Sequence, residues 1–187
     1  MSITNRIRML LLAAWLGIAI YFGAVVAPST FRVLIAAEVA NEQRLKKYSP
    51  DDPIFFDGRE LAGAIVSRTL AAVNKSGLVL SLLLLLTSLA VRKCYGRASF
   101  ILQSVLLTIV AIATAAGEWV IAAKMRGLRA AMNGQIGEVP LNDPNRIAFA
   151  ALHGYSVAAL GVAMIAALIV ILLMVVSRER VVTNSTE

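Results

Sequence analysis

Apolar residues in this chain are gathered into four long runs. The runs are Met9 to Ala27 and about residues 73–91, 100–123 and 155–176. An α-helix rises about 1.5 Å per residue, so about 20 residues cross the roughly 30 Å hydrocarbon core of a bilayer. The pattern therefore predicts four transmembrane helices, and we expect an all-α integral membrane four-helix bundle.

Two start signals lie well ahead of the second and fourth runs. Asp57 and Glu60 have the spacing of a capping box, which predicts that helix 2 begins near Gly58. The segment Asn142-Asp143-Pro144 combines capping side chains with a proline suited to the first helical position. Helix 4 is therefore expected to begin near Pro144, before its membrane portion.

Helical sequence also continues beyond the first and third runs. Helix 3 is expected to reach about Met132, and a separate short amphipathic helix is expected from Phe31 to Lys47, after Pro28. We therefore predict one domain, residues 1–187, in which helices 2, 3 and 4 extend beyond the bilayer. Segments 28–72 and 124–154 form a small extramembrane cap.

Composition agrees with a membrane protein, since 59% of residues are hydrophobic and only 16% are charged. The net charge is +7, but lysine and arginine are spread over loops and helix ends, so we expect a lipid bilayer and no nucleic acid as partner. Positive charge is dense between Arg92 and Arg97. By the positive-inside rule, this favours the cell (cytoplasmic) membrane with both termini in the cytoplasm.

Polar and aromatic residues fall at a common depth near the capped face. Ionisable groups in hydrocarbon are expensive, so a ligand-binding or proton-handling layer is one interpretation, with Glu118 and Lys75 as coupled titrating groups. The other interpretation is a structural ion pair between these two residues, surrounded by interfacial anchors. The members of this polar layer are Tyr21, Asn74, Lys75, Glu118, Trp119, His153 and Tyr155.

Four arginines of the predicted cap have two interpretations, a patch for an anionic ligand or lipid headgroup and ordinary solvated charge. They are Arg68, Arg126, Arg129 and Arg146. A metal site would involve His153, the single histidine. A haem would then need another axial ligand or a dimer. Met125 and Met132 could join His153 in a copper site, but methionines at helical spacing are more often packing residues. No cofactor is our first expectation.

Small residues recur at four-residue spacing within the predicted spans. In lipid, this spacing lets helix backbones approach closely. It is explained by packing within the chain or by a homodimer or larger complex. The pairs are Ala13 with Gly17, Ala19 with Gly23, Ala113 with Gly117, and Gly154 with Ala158.

Several short blocks of the sequence stand out: Trp15-Leu16-Gly17, Tyr21 to Pro28 with Phe31, Leu61-Ala62-Gly63, Met125 to Arg129, and Asp143 to Arg146 with Phe149 and Leu152-His153. These blocks resemble those of bacterial relatives of eukaryotic transmembrane protein 205. The resemblance implies a four-span protein of poorly defined role, whose eukaryotic members are associated with platinum-drug resistance. It also directs attention to Arg146 and His153. The Trp-Leu-Gly and Leu-His blocks are more loosely similar to copper-resistance D-type membrane proteins.

No phosphate loop, nucleophile elbow or helical metalloprotease motif is found in the sequence, and no catalytic residue is predicted. We expect a non-enzymatic membrane protein that binds or moves a small ligand or ion, or that serves as an accessory subunit of a membrane complex. The alternative is a haem- or copper-binding oxidoreductase or electron-transfer subunit that uses His153.

Overall fold

The computed structural model describes residues 3–48, 57–90, 92, 96–132, 136 and 139–183. Two of the four long helices contain a π-helical segment. In chain order the elements are α1 (Ile3–Tyr21), π1 (Phe22–Val26), α2 (Ala27–Tyr48), α3 (Gly58–Ala90), α4 (Arg97–Ala115), π2 (Ala116–Ile121), α5 (Ala122–Ala131) and α6 (Pro144–Thr183).

Four helices are long and apolar enough to cross a membrane. They span Ile3–Gln43, Gly58–Leu89, Arg97–Ala131 and Pro144–Val176. The described residues contain no strand. The predicted all-α membrane bundle is therefore confirmed, and the chain is a multi-pass membrane protein.

Successive helices run in opposite directions around the bundle. Helix α1 packs against α3 and α6, and α4 packs against the same two helices from the other side. Fully buried residues in the centre come from all four: Leu12, Leu84, Leu107, Val110, Val170 and Met174. This apolar centre holds the polar residues of the two ends apart.

The first helix continues through Pro28, so the prediction of a separate helix from Phe31 to Lys47 is wrong. Elements α1, π1 and α2 follow one another without a break to Tyr48. Proline lacks an N–H and its ring collides with the carbonyl four residues earlier in a regular helix. Here the turn before proline is π-helical, with the Ala27 N–H donating to the Phe22 carbonyl, five residues back. This wider turn lets the helix pass the proline.

The predicted helix starts are confirmed by their capping contacts. Asp57 Oδ1 accepts a 2.8 Å hydrogen bond from the Glu60 N–H at the start of α3. Asp143 Oδ1 accepts from the Asn145 N–H at 2.8 Å and from the Arg146 N–H at 3.2 Å at the start of α6. Each aspartate satisfies N–H groups that the first helical turn leaves without partners. Element α5 ends at Ala131, as predicted for the third helix.

Helices α1 and α3 are in close contact where Trp15 lies over Gly77. The Trp15 Nε1–H donates to the Val73 carbonyl at 3.1 Å. A Cβ on residue 77 would lie 2.7 Å from Trp15 Cζ2 and 2.9 Å from Thr114 Cγ2. The absence of a side chain at Gly77 therefore lets the tryptophan reach the backbone of α3.

The small-residue pairs contribute less to packing within the chain than their spacing suggested. A Cβ on Gly17, Gly23 or Gly154 would meet nothing within 4 Å, and these glycines are exposed. The interpretation as intrachain contacts is therefore wrong for these three positions. At the fourth glycine, Gly117, a Cβ would lie 3.1 Å from Asn74 Nδ2, so this pair does face a neighbouring helix.

We predict that Gly77→Ala destabilises the bundle by about 1–3 kcal/mol, the usual cost of overpacking a tight core. The matched control is Gly154→Ala, which should be neutral or stabilising by up to about 1 kcal/mol because alanine favours helix. Unfolding in mixed detergent micelles, followed by circular dichroism, measures both. Equal stability of the two variants would contradict the close contact at Gly77.

Candidate functional site

The candidate site is centred on Glu118, an acidic residue that is only 5% exposed. Glu118 lies in π2, where the Ala122 N–H donates to the Gly117 carbonyl, five residues earlier. Such π-helical turns occur frequently at functional sites. A buried carboxylate at an irregular turn of a transmembrane helix is therefore a strong candidate for a functional group.

Two cations contact the same oxygen of this carboxylate. Lys75 Nζ lies 3.7 Å from Glu118 Oε1, and Arg126 Nη1 lies 3.9 Å from it. Their side chains are 58% and 63% exposed, whereas that of Glu118 is 7% exposed. Long basic side chains can thus reach down to a buried acid while their stems follow the bundle surface. The cluster carries two positive charges and one negative charge.

The second oxygen of the carboxylate has a different environment. Within the part of the chain that the structure describes, Glu118 Oε2 is buried and has no hydrogen-bond partner. A buried polar atom without a hydrogen-bond partner costs free energy, and a role in ligand binding is one explanation for such an atom. Oε2 is therefore an unused acceptor beside an oxygen that two cations share.

Asn74 forms the wall next to this carboxylate. It is 4% exposed, and its side-chain amide covers Gly117, the residue before Glu118. The absence of a side chain at Gly117 lets α3 come close to π2. Asn74, Lys75 and Glu118 are thus brought together, as the common depth suggested.

The remaining polar-layer residues lie on the outer surface of the bundle. Tyr21 is 60% exposed, Trp119 is 55% exposed and Tyr155 is 64% exposed. His153 is also exposed on α6. Outward-facing tyrosine and tryptophan at the ends of membrane helices are typical interfacial anchors. The structure does not bring these four side chains into contact with Glu118.

The four cap arginines are directed to different places. Arg126 contacts Glu118, and Arg146 Nη1 donates to the Val139 carbonyl. The Arg129 guanidinium lies over Gly63, and Arg68 is exposed on α3. The predicted anionic-ligand patch is therefore divided among several local contacts.

No group of three or more histidine, cysteine, aspartate and glutamate residues able to hold a metal ion is found in the described segments. Of the residues considered for copper, Met132 is buried, Met125 is half-buried and His153 is exposed. The haem and copper hypotheses stay predictions.

The model of a family described as a domain of unknown function, DUF4149, matches residues 10–134, which is more than half of the chain. The chain belongs to the DUF4149 family. No curated protein and no solved structure matches it. The DUF4149 match covers Asn74, Lys75, Glu118 and Arg126 but ends ahead of Arg146 and His153. It does not confirm the resemblance to transmembrane protein 205 or to copper-resistance D-type proteins.

A second group of buried polar residues, which sequence reasoning missed, lies at the opposite end of this DUF4149 bundle. Arg8 is 2% exposed; its Nη2 donates to the Leu84 carbonyl at 3.0 Å and its Nη1 to Asn5 Oδ1 at 3.4 Å. Ser88 and Gln103 are 4% and 3% exposed. The available signal was the three-residue spacing of Asn5 and Arg8, which places both on one helix face.

In this DUF4149 protein, we predict that Lys75→Met combined with Arg126→Met destabilises the fold by about 3 kcal/mol, because Glu118 is left as an uncompensated buried charge. Adding Glu118→Gln should restore most of that stability. The control is Arg68→Met with Lys124→Met, which removes two exposed cations elsewhere. Detergent unfolding measures all three variants, and a triple variant less stable than the double would contradict the charge cluster.

Proposed function

We propose that this protein is a non-enzymatic membrane protein that binds or moves a small ligand or ion through the Glu118 site. The observation that carries the proposal is the asymmetry of the carboxylate. Oε1 is shared by two cations, whereas Oε2 is buried and has no hydrogen-bond partner within the described residues. Oε2 can accept a proton or a hydrogen bond from an N–H or O–H group of a small molecule.

The position of the site supports this proposal. Lys75 and Arg126 are more than half exposed, so the cluster lies close to the bundle surface. An ionisable residue inside a membrane span marks a functional site by default, because burial of its charge is otherwise a pure cost. The excess positive charge disfavours a metal cation and favours a neutral hydrogen-bond donor.

The proton is the first probe. Liposomes containing the protein and a trapped pH-sensitive dye would be given a potassium-diffusion potential, and internal pH would be followed. We expect faster pH change with the wild type than with Glu118→Gln. Glu60→Gln, at the far end of α3, is the matched control and should behave as wild type.

Native mass spectrometry of the purified protein tests whether the Glu118 site binds a small molecule. A bound species should be present in the wild type and in Glu60→Gln and absent in Glu118→Gln. The proposal fails if no such species is found and proton flux equals that of empty liposomes. A co-purifying polypeptide in that case would support the accessory-subunit role instead.

We further propose the cytoplasmic membrane as the location, with both termini in the cytoplasm. Support comes from the basic segment between the second and third spans, Arg92 to Arg97. The shared blocks support kinship with the transmembrane protein 205-like family, and those from Trp15 to Arg129 fall within the DUF4149 match.

Cys94, the single cysteine of the chain, lies outside the described residues but tests the orientation. We predict that a membrane-impermeant maleimide does not modify Cys94 in intact cells and modifies it after permeabilisation. A Cys94→Ser variant controls for labelling of other groups. Modification in intact cells would reverse the proposed topology.

A further inference from the structure

We propose that Lys75 and Arg126 together bind the phosphate group of an anionic phospholipid at the outer surface of the bundle. This inference goes beyond the proposed function because it uses the exposed cations rather than the buried Oε2 of Glu118. It stands if that oxygen binds nothing, and it can fail while the Glu118 proposal holds.

The two cations are held at a spacing suited to a shared anion. Both contact Glu118 Oε1, so Lys75 Nζ and Arg126 Nη1 are no more than about 8 Å apart. Contacts of 3.7 and 3.9 Å to a single oxygen leave other N–H groups of both side chains available. Phosphate oxygens are strong acceptors for such charged donors.

The depth of the pair matches that of a lipid phosphate. Below Lys75, one turn further into the membrane, Val79 is 57% exposed and faces lipid. Trp119, beside Glu118, is 55% exposed, and exposed Lys124 follows it on α5. The surface therefore changes from apolar to basic at this level, which is where headgroups lie.

A lipid is favoured over free phosphate by the surface below the pair. Exposed apolar side chains continue along α3 through Leu82, Leu83 and Leu86. A phospholipid can place its phosphate against Lys75 and Arg126 and its acyl chains along these residues. Soluble phosphate would gain only the first of these contacts.

Trp119 supplies an optical test of the proposal. It is exposed and directly follows Glu118 in the chain, whereas Trp15 is 4% exposed and hydrogen-bonded inside the bundle. The protein would be placed in phosphatidylcholine nanodiscs containing the same small fraction of acyl-brominated phosphatidylglycerol or acyl-brominated phosphatidylcholine. Bromine quenches tryptophan at close range, so quenching reports which lipid is enriched near Trp119. Trp119→Phe identifies its share of the signal.

We expect each of the two cations to raise the enrichment of brominated phosphatidylglycerol near Trp119 by about fivefold. This factor corresponds to the attraction of a single basic residue for anionic headgroups. Lys75→Gln and Arg126→Gln should each lower the enrichment, and the double variant should abolish it. Arg59→Gln is the matched control, because Arg59 is exposed at the start of α3, sixteen residues before Lys75, and it should keep the preference. The single variants keep the test decisive if the double variant does not fold.

Equal quenching by the two brominated lipids in the wild type would overturn the proposal. So would a preference that survives both single substitutions. The same measurement with added inorganic phosphate or with added chloride, at equal ionic strength, distinguishes a lipid phosphate from free phosphate as the ligand. Loss of the preference with phosphate alone would assign the site to a soluble anion and overturn the lipid assignment.

Discussion

The cost of burying polar groups in a bundle surrounded by lipid governs how the interior of this protein is arranged. Near the middle, the buried hydroxyls bond within their own helices: Ser81 donates to the Leu78 carbonyl at 2.8 Å and Thr114 to the Val110 carbonyl at 2.7 Å. Two buried charged side chains, Arg8 and Glu118, lie at opposite ends of the bundle. A backbone carbonyl accepts a hydrogen bond from Arg8, and two long basic side chains contact Glu118, so neither interaction crosses the apolar centre.

Features that depend on local sequence were predictable. The four runs gave the spans, and the caps at Asp57 and Asp143 set two helix starts because an N-cap acts within one turn. The continuous first helix was not predictable in this way. Its passage through Pro28 depends on the π turn before it, and the sequence pattern carries no distinct signal for that turn.

The candidate site was predictable in depth but not in direction. Counting residues along each span placed Lys75 and Glu118 at one level, and the structure puts them in contact. The same counting placed Tyr21, Trp119 and Tyr155 at that level, yet all three face outward. Depth follows from rise per residue, whereas direction depends on the rotation of each helix, which packing determines. The glycines that permit the closest packing, Gly77 and Gly117, can be recognised only once their neighbours are known.

The π turn at Ala116–Ile121 explains how Arg126 reaches Glu118. In a regular α-helix, residues eight apart differ by roughly 80° around the axis, since each residue turns about 100°. A π turn accommodates one extra residue, which takes back about 100° and leaves the two side chains within roughly 20° of each other. Arg126 then projects from nearly the same face as Glu118, two turns nearer the cap, and its side chain can extend to Oε1. Without the π turn, Arg126 would project roughly 80° away from Glu118, and the carboxylate would face Lys75 alone. The irregular turn therefore sets the charge of the site, and with it the kind of ligand that the site can accept.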